Sequence, residues 1–259
     1  MSHDLKKFKL IKKIIGILGY KIINKNTVKT ERVLDGSILS TEEVIKKLIN
    51  TNHVNKIVQI GSNNGQSDDF LNIIIKNNKT LRALLVEPIK ETFAELKKNY
   101  LNYNNIILAN CAIDTFSGKK NIFKVDGNYY KYYANLHKTI TGNWINVLAS
   151  FDKGHLLKHG IKKNHIVSEL VDCLNFEDLF NKYNYNDLDL LIIDAEGYDH
   201  ILLENLINTT NYRPFLIFEW VHIPHEKAIF LFKTLNRDYN IIKIQKDVVC
   251  LKKNITINF

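Results

Sequence analysis

From residue 54 onward, short and almost continuous runs of β-branched and apolar residues alternate with stretches of helical spacing. The runs are Lys56 to Ile60 (KIVQI), Leu81 to Glu87 (LRALLVE), Asn105 to Asn110 (NIILAN), Leu188 to Asp194 (LDLLIID) and Pro214 to Trp220 (PFLIFEW). Between and after them, helices are predicted over Asp69 to Lys76, Lys90 to Tyr100, Phe176 to Tyr183, Asp199 to Leu206 and His225 to Leu235. A strand that is apolar on both sides has no solvent face, and consecutive parallel strands need crossover helices. The alternation therefore predicts an α/β fold, a mostly parallel sheet with helices on both faces. The rhythm changes at the C-terminal end, where NIIKI and VVCLKK flank QKD and read as a hairpin, so the last strand runs antiparallel to its neighbour.

The chain has 259 residues, 45% of them apolar and 10% aromatic, enough to bury a good core and too apolar for a disordered chain. Residues 1–53 read as an N-terminal helical extension and 54–259 as the α/β domain. One segment, about 127–167, departs from the alternation. It contains NYYKYYANLHKTITGNW and SFDKGHLLKHG, is too long for a simple connection, and reads as a lid over a binding site.

The net charge of +9 comes from 36 Lys and Arg against 27 Asp and Glu, yet only four of the basic residues are Arg. Without an Arg-rich patch interleaved with aromatics, the surplus does not argue for a nucleic-acid partner. Cys111, Cys173 and Cys250 are widely spaced in apolar contexts with no C-x-x-C pair, as expected of reduced core residues in a cytoplasmic protein. FKLIKKIIGILGYKII near the N-terminus is too interrupted by Lys to span a bilayer. It reads either as a packing helix or as an amphipathic helix on a membrane surface.

The chemistry starts at VQIGSNNG. A strand that stops at Gly61 and resumes as a helix beyond Gly65 must turn tightly, and Gly and Asn tolerate the positive φ this requires. In a βαβ unit the next strand ends beside that turn, and here it ends in Glu87, an acid able to accept hydrogen bonds from both ribose hydroxyls. A dinucleotide fingerprint would need a second Gly where Asn63 stands, and a P-loop would need G-K-[ST], which is absent. The combination favours an adenosine cofactor without a pyrophosphate, of which S-adenosylmethionine is the common one.

At the carboxyl ends of the later strands stand Asp194 with Glu196, and Glu219 with His222. Such ends face the ligand crevice of an open α/β sheet, and acids with a histidine suit either a general base or an oxygen-ligated Mg²⁺. Capping of the following helix is the alternative for Asp194 and Glu196, and a buried ion pair for Glu219. In the lid, His155 and His159 are four residues apart and share a helical face. With Lys158 they are candidate contacts to a polar substrate, and as a pair they are a sparse metal site; His137 is a further lid histidine.

IVQIGSNNG, LLVEP, NCAIDTFSG, LLIIDAEGYD and FLIFEWVHI occur in this order, and with them the chain resembles the FkbM-type family of S-adenosylmethionine-dependent methyltransferases over about Lys56 to His222. The resemblance implies a class I methyltransferase, a Rossmann-like sheet of seven strands. It implies that Gly61, Ser62, Asn63 and Gly65 cradle the methionine part, Glu87 the ribose, and Ala112 with Asp114 the adenine edge, with Asp194 near the cofactor. Gln59 stands where many class I methyltransferases carry an acid. The expected catalytic residues are His222, Asp194 and Glu219, the expected substrate contacts Glu196, His155, Lys158 and His159, and any metal would fall to Asp194, Glu196 and Glu219. The implied reaction is O-methylation of a sugar or other small polar hydroxyl compound. N-methylation of a small amine and a silent cofactor-binding module remain open alternatives.

Overall fold

The computed structural model describes residues 33–34, 37–38, 40–66, 70–136, 145 and 148–255. The N-terminal amphipathic stretch and His137 lie outside them.

Two short strands, β1 (Val33–Leu34) and β2 (Ser37–Ile38), pair antiparallel ahead of the main fold. The principal sheet has seven strands: β3 (Lys56–Ile60), β4 (Arg82–Val86), β5 (Ile106–Ala109), β10 (Leu190–Ile193), β11 (Phe215–Glu219), β12 (Tyr239–Ile244) and β13 (Asp247–Lys252). Their order across the sheet is β12-β13-β11-β10-β3-β4-β5. β5, β4, β3, β10 and β11 are parallel, and β13 runs antiparallel between β11 and β12. This is the seven-stranded sheet with an antiparallel C-terminal strand that the sequence predicts.

Both faces are buried, which is why the strands carry no polar alternation. Val58, Ile60, Leu84, Val86, Leu191, Ile193, Leu216 and Phe218 pack under the helices Phe176–Tyr183, Asp199–Thr209 and His225–Leu235. Their immediate neighbours Ile57, Ala83, Leu85, Leu190, Ile192, Phe215 and Ile217 point the other way, against the helices Thr41–Asn50, Phe70–Asn77 and Lys90–Asn99. The first of these helices begins at a Ser40–Glu43 capping box and buries Val44, Ile45 and Leu48 against the sheet. Thr41 also donates from Oγ1 to Asp247 on β13 at 2.7 Å. The packed unit therefore starts before residue 54, and part of the expected extension belongs to the domain core.

A second sheet was not foreseen. β7 (Gly118–Val125) and β9 (Ile166–Leu174) pair antiparallel along eight residues and, with β6 (Ala112–Ile113) and β8 (Ala149–Ser150), form the order β6-β9-β7-β8. The segment expected to be a lid is the excursion between β7 and β9. It has a core of its own, with Val125, Tyr133, Ile145, Leu148, Leu156, Ile161 and Ile166 buried together. Tyr133 accepts from the Lys162 amide at 2.8 Å and shares a 2.9 Å hydrogen bond with His165 Nδ1, while Tyr129 stacks on the His165 ring with centroids 3.5 Å apart. These tyrosines hold the insert together instead of offering a polar binding face.

Candidate functional site

The strand order reverses between β3 and β10, and at that switch point the carboxyl ends of the strands open into a cleft. The turn after β3 forms one wall. Gly61 has φ +78°, and a Cβ there would lie 1.9 Å from the backbone oxygen of Asp194, so only glycine lets β3 pass this close to β10. The Gly61 and Ser62 amides both donate to the Val86 carbonyl at 3.0 Å, which draws the turn against the end of β4. Asn63 follows in the left-handed region, φ 53°, a conformation Asn tolerates.

Glu87 sits next to that turn. It is buried, and its two carboxylate oxygens accept from the amides of Asn63 (3.1 Å) and Ile89 (2.9 Å). Burial outweighs those bonds and pushes its pKa up to about 7. The acid thus joins the tips of two consecutive βα turns, and it lines the cleft with acceptor capacity left over.

The opposite wall is IDAEGYD. Glu196 (φ 49°) and Gly197 (φ 87°) are both left-handed, and buried Asp199 steadies them by accepting from the amides of Ala195 (3.4 Å) and Gly197 (3.2 Å). Ser150 of β8 donates to the Glu196 carbonyl at 3.0 Å, tying the second sheet to this turn. Tyr198 donates to Asp114 at 2.8 Å, and the Lys120 ammonium reaches Asp114 at 2.6 Å and the Tyr198 oxygen at 3.2 Å. Phe151 completes the wall edge-on to Tyr198, with ring centroids 5.2 Å apart.

The cleft is open on one side, and the empty space within its walls, part of it continuous with solvent, amounts to about 680 Å³. Of the residues expected to hold the cofactor, Gly61, Asn63, Glu87, Ala112 and Asp194 line it, together with Glu196 from the expected substrate contacts. Three expected cofactor residues do not. Ser62 is buried, donating to the Gln59 carbonyl and accepting from the Val86 amide, so it locks the two strand ends together. Gly65 faces away, where a Cβ would collide with Tyr100 (2.4 Å) and Leu96 (2.7 Å) of the neighbouring helix. The Asp114 carboxylate is consumed by Lys120, Tyr198 and the Thr115 amide, so it supports the wall from behind. Pro88, Ile122, Ser150, Phe151 and Tyr198 line the cleft without having been singled out. Cys111 lines it too, but burial pushes its thiol up to about 12, so no reactive thiolate is present.

At the mouth, residues from three parts of the chain converge. His155 lies on the helix Lys153–Lys158, and His159 is that helix's C-cap. Glu196 follows β10, and His222 follows β11. One ligand atom from each of these four lies within 4.8 Å of the others. His155 Nε2 is 3.0 Å from Glu196 Oε2, and the His222 ring lies 4.8 Å from that of His155 and 5.5 Å from that of His159. Burial, then the neighbouring His155, lowers the pKa of His222, which favours its neutral imidazole. Glu219 stands 3.4 Å from both His222 Nε2 and Lys246 Nζ; burial raises its pKa against the pull of Lys246. Asp194 remains open to the cleft, and enclosure there, reinforced by the carboxylates of Glu196, Asp199 and Glu219, pushes its pKa up. Lys158 is exposed beside the cluster and not part of it.

The sequence-based metal candidates were Asp194, Glu196 and Glu219, with His155 and His159 as a sparse pair. Among the described residues, the group that converges joins that pair to Glu196 and His222. No described helix is long and apolar enough to cross a membrane.

Searched against curated proteins, the chain finds no match. Among solved structures it is similar to the Methanococcus jannaschii fibrillarin pre-rRNA processing protein, at 12% identity and a TM-score of 0.39 over 88% of this chain and 84% of that one. Precorrin-6y C5,15-methyltransferase from Geobacter metallireducens GS-15 is similar at 8% identity and a TM-score of 0.36 over 85% and 90%. A variant of MtNAS matches at 8% identity and a TM-score of 0.37, with 82% of this chain spanning 59% of that one. These likenesses are remote. The methyltransferase FkbM domain, by contrast, matches residues 59–240, which take in the cleft walls, Glu87 and the whole histidine cluster. The chain therefore belongs to the FkbM family of S-adenosylmethionine-dependent methyltransferases.

Proposed function

We propose that this methyltransferase acts on a hydroxyl group of a small polar molecule, a sugar or glycan precursor, with no nucleic acid as substrate. The observation that carries the reading is the double position of Glu196, which lines the cofactor cleft and also belongs to the histidine cluster at its mouth. S-adenosylmethionine, bound in the cleft, supplies a methyl group already activated by its sulfonium. What remains for the chain is to hold the adenosine, align the acceptor and remove its proton.

Glu87 accepts hydrogen bonds from the ribose hydroxyls through the lone pairs not used by Asn63 and Ile89. The flat apolar walls of Ala112, Ile122 and Phe151 flank the adenine. The acceptor oxygen sits at the cluster of His155, His159, His222 and Glu196, whose nitrogen and oxygen atoms position it and help its proton to leave. Asp194, open to the cleft beside Gly61, orients the cofactor's polar end.

Incubation with methyl-labelled S-adenosylmethionine and a panel of nucleotide sugars, phosphorylated small molecules and small amines tests this. Label on a hydroxyl is expected. Label on an amine with every hydroxyl compound silent would overturn the proposal, as would absence of transfer to any member.

A further inference from the structure

We infer that His155, His159, His222 and Glu196 form a binding site for a divalent transition-metal ion of the zinc class at the mouth of the cofactor cleft. Three imidazoles and one carboxylate whose ligand atoms all lie within 4.8 Å of one another make a compact donor set. Ligands about 2.0–2.1 Å from such an ion sit about 3.4 Å apart in a tetrahedron. His155 Nε2 and Glu196 Oε2, at 3.0 Å, are within a few tenths of an ångström of that spacing, and the other ligand atoms, all within 4.8 Å, draw in on binding.

The surroundings are those of a ligand set more than of a solvated histidine patch. His155 is 4% exposed although its ring carries two polar nitrogens. Gly197 is what admits it: a Cβ there would lie 3.1 Å from His155 Nδ1 and 3.7 Å from His222 Cβ. Glu219, 3.4 Å from His222 Nε2, stands where an outer carboxylate fixes the tautomer of a ligating imidazole, leaving Nδ1 of His222 for the ion. The donors come from the insert, the turn after β10 and the segment after β11, so one ion would tie the insert to the sheet.

The donor chemistry selects the metal. Three nitrogens suit zinc, cobalt, nickel or ferrous iron, whereas Mg²⁺ takes oxygen ligands and keeps its waters. This departs from the oxygen-ligated Mg²⁺ that the sequence suggested.

The ion's role rests on the O-methylation reading above. An expanded coordination shell admits the acceptor hydroxyl and lowers its pKa. The proton passes to solvent and the oxygen lone pair forms the new O–CH₃ bond. The C–S pair stays on sulfur, and the metal keeps its oxidation state. His222 is then a ligand instead of a free base.

The test is a Co²⁺ titration of the chelator-stripped full chain, followed by visible absorption and calorimetry, with S-adenosylhomocysteine binding measured on the same samples. One Co²⁺ per chain with a nitrogen-ligand spectrum is expected, displaced by Zn²⁺ and not by millimolar Mg²⁺. His159→Ala and His222→Ala should each weaken binding at least about 100-fold, while Glu87→Ala leaves it unchanged. No stoichiometric binding of Co²⁺ or Zn²⁺, or binding indifferent to both histidine changes, would overturn the site. Cofactor-product binding without metal binding discards the metal and keeps the methyltransferase. Metal binding with no methyl acceptor found keeps the site and discards its catalytic role.

Discussion

At Gly61 the backbone φ of +78° and the 1.9 Å approach of a hypothetical Cβ to the Asp194 oxygen act together, so no side chain fits without parting β3 from β10. Gly61→Ala should cost about 3 kcal/mol of stability or more and abolish S-adenosylhomocysteine binding, as read by urea denaturation and calorimetry. Glu87 carries a different consequence. Its folded pKa of about 7 is raised above the ordinary carboxylate value, so the folded chain holds a proton that the unfolded chain has lost. That contribution to stability is complete below about pH 4.5 and is lost as pH rises through 7. Ribose hydroxyls need the ionised acid, so cofactor binding expels this proton. Affinity for S-adenosylhomocysteine should rise from pH 5.5 to 7.5 and then level off, with proton release visible in buffers of different ionisation enthalpy. A flat profile would mean that Glu87 does not contact the ribose.

Among the elements, the insert between β7 and β9 shows most about what a sequence hides. β7 and β9 escaped notice because their apolar residues do not keep to one face: Val167 and Leu170 are exposed while Val171 and Cys173 are buried. Charged residues such as Lys120 and Lys124 sit where a strand pattern would ask for apolar ones, each paired with an acid outside its own strand, Asp114 or Glu169. The principal strands were legible because burial on both faces leaves nearly uninterrupted apolar runs. Tyr133 is the insert's keystone, and its two hydrogen bonds make Tyr133→Phe cost about 1 to 3 kcal/mol, with the loss confined to the insert. Hydrogen exchange should show amides of 129–136 and 153–165 opening at lower free energy in that variant while β3 and β4 stay protected. Uniform loosening would instead make the two sheets one cooperative unit.

On the scale of the molecule, the site is assembled where the sheet order reverses, and that placement decides which residues could be read in advance. Glu87, Asp194, Glu196, Glu219 and His222 were legible because strand ends and their following turns are short-range features. Ser62, Gly65 and Asp114 belong to the right stretches, but the Ser62 and Asp114 side chains brace the walls and Gly65 packs against a helix, a distinction that depends on neighbours over 20 residues away in sequence, Val86, Leu96 and Tyr198. The His155–Glu196–His222 convergence was illegible as a unit, since only folding of the insert brings it about. The whole account turns on the cleft at the switch point being an adenosine site governed by Glu87. Calorimetric titration of wild-type and Glu87→Ala protein with S-adenosylhomocysteine and with NAD tests that most directly. The account predicts one site per chain for S-adenosylhomocysteine, weakened by about 1.5 to 3 kcal/mol in the variant, and no binding of NAD. Tight NAD binding, or S-adenosylhomocysteine binding untouched by the loss of Glu87, would contradict it.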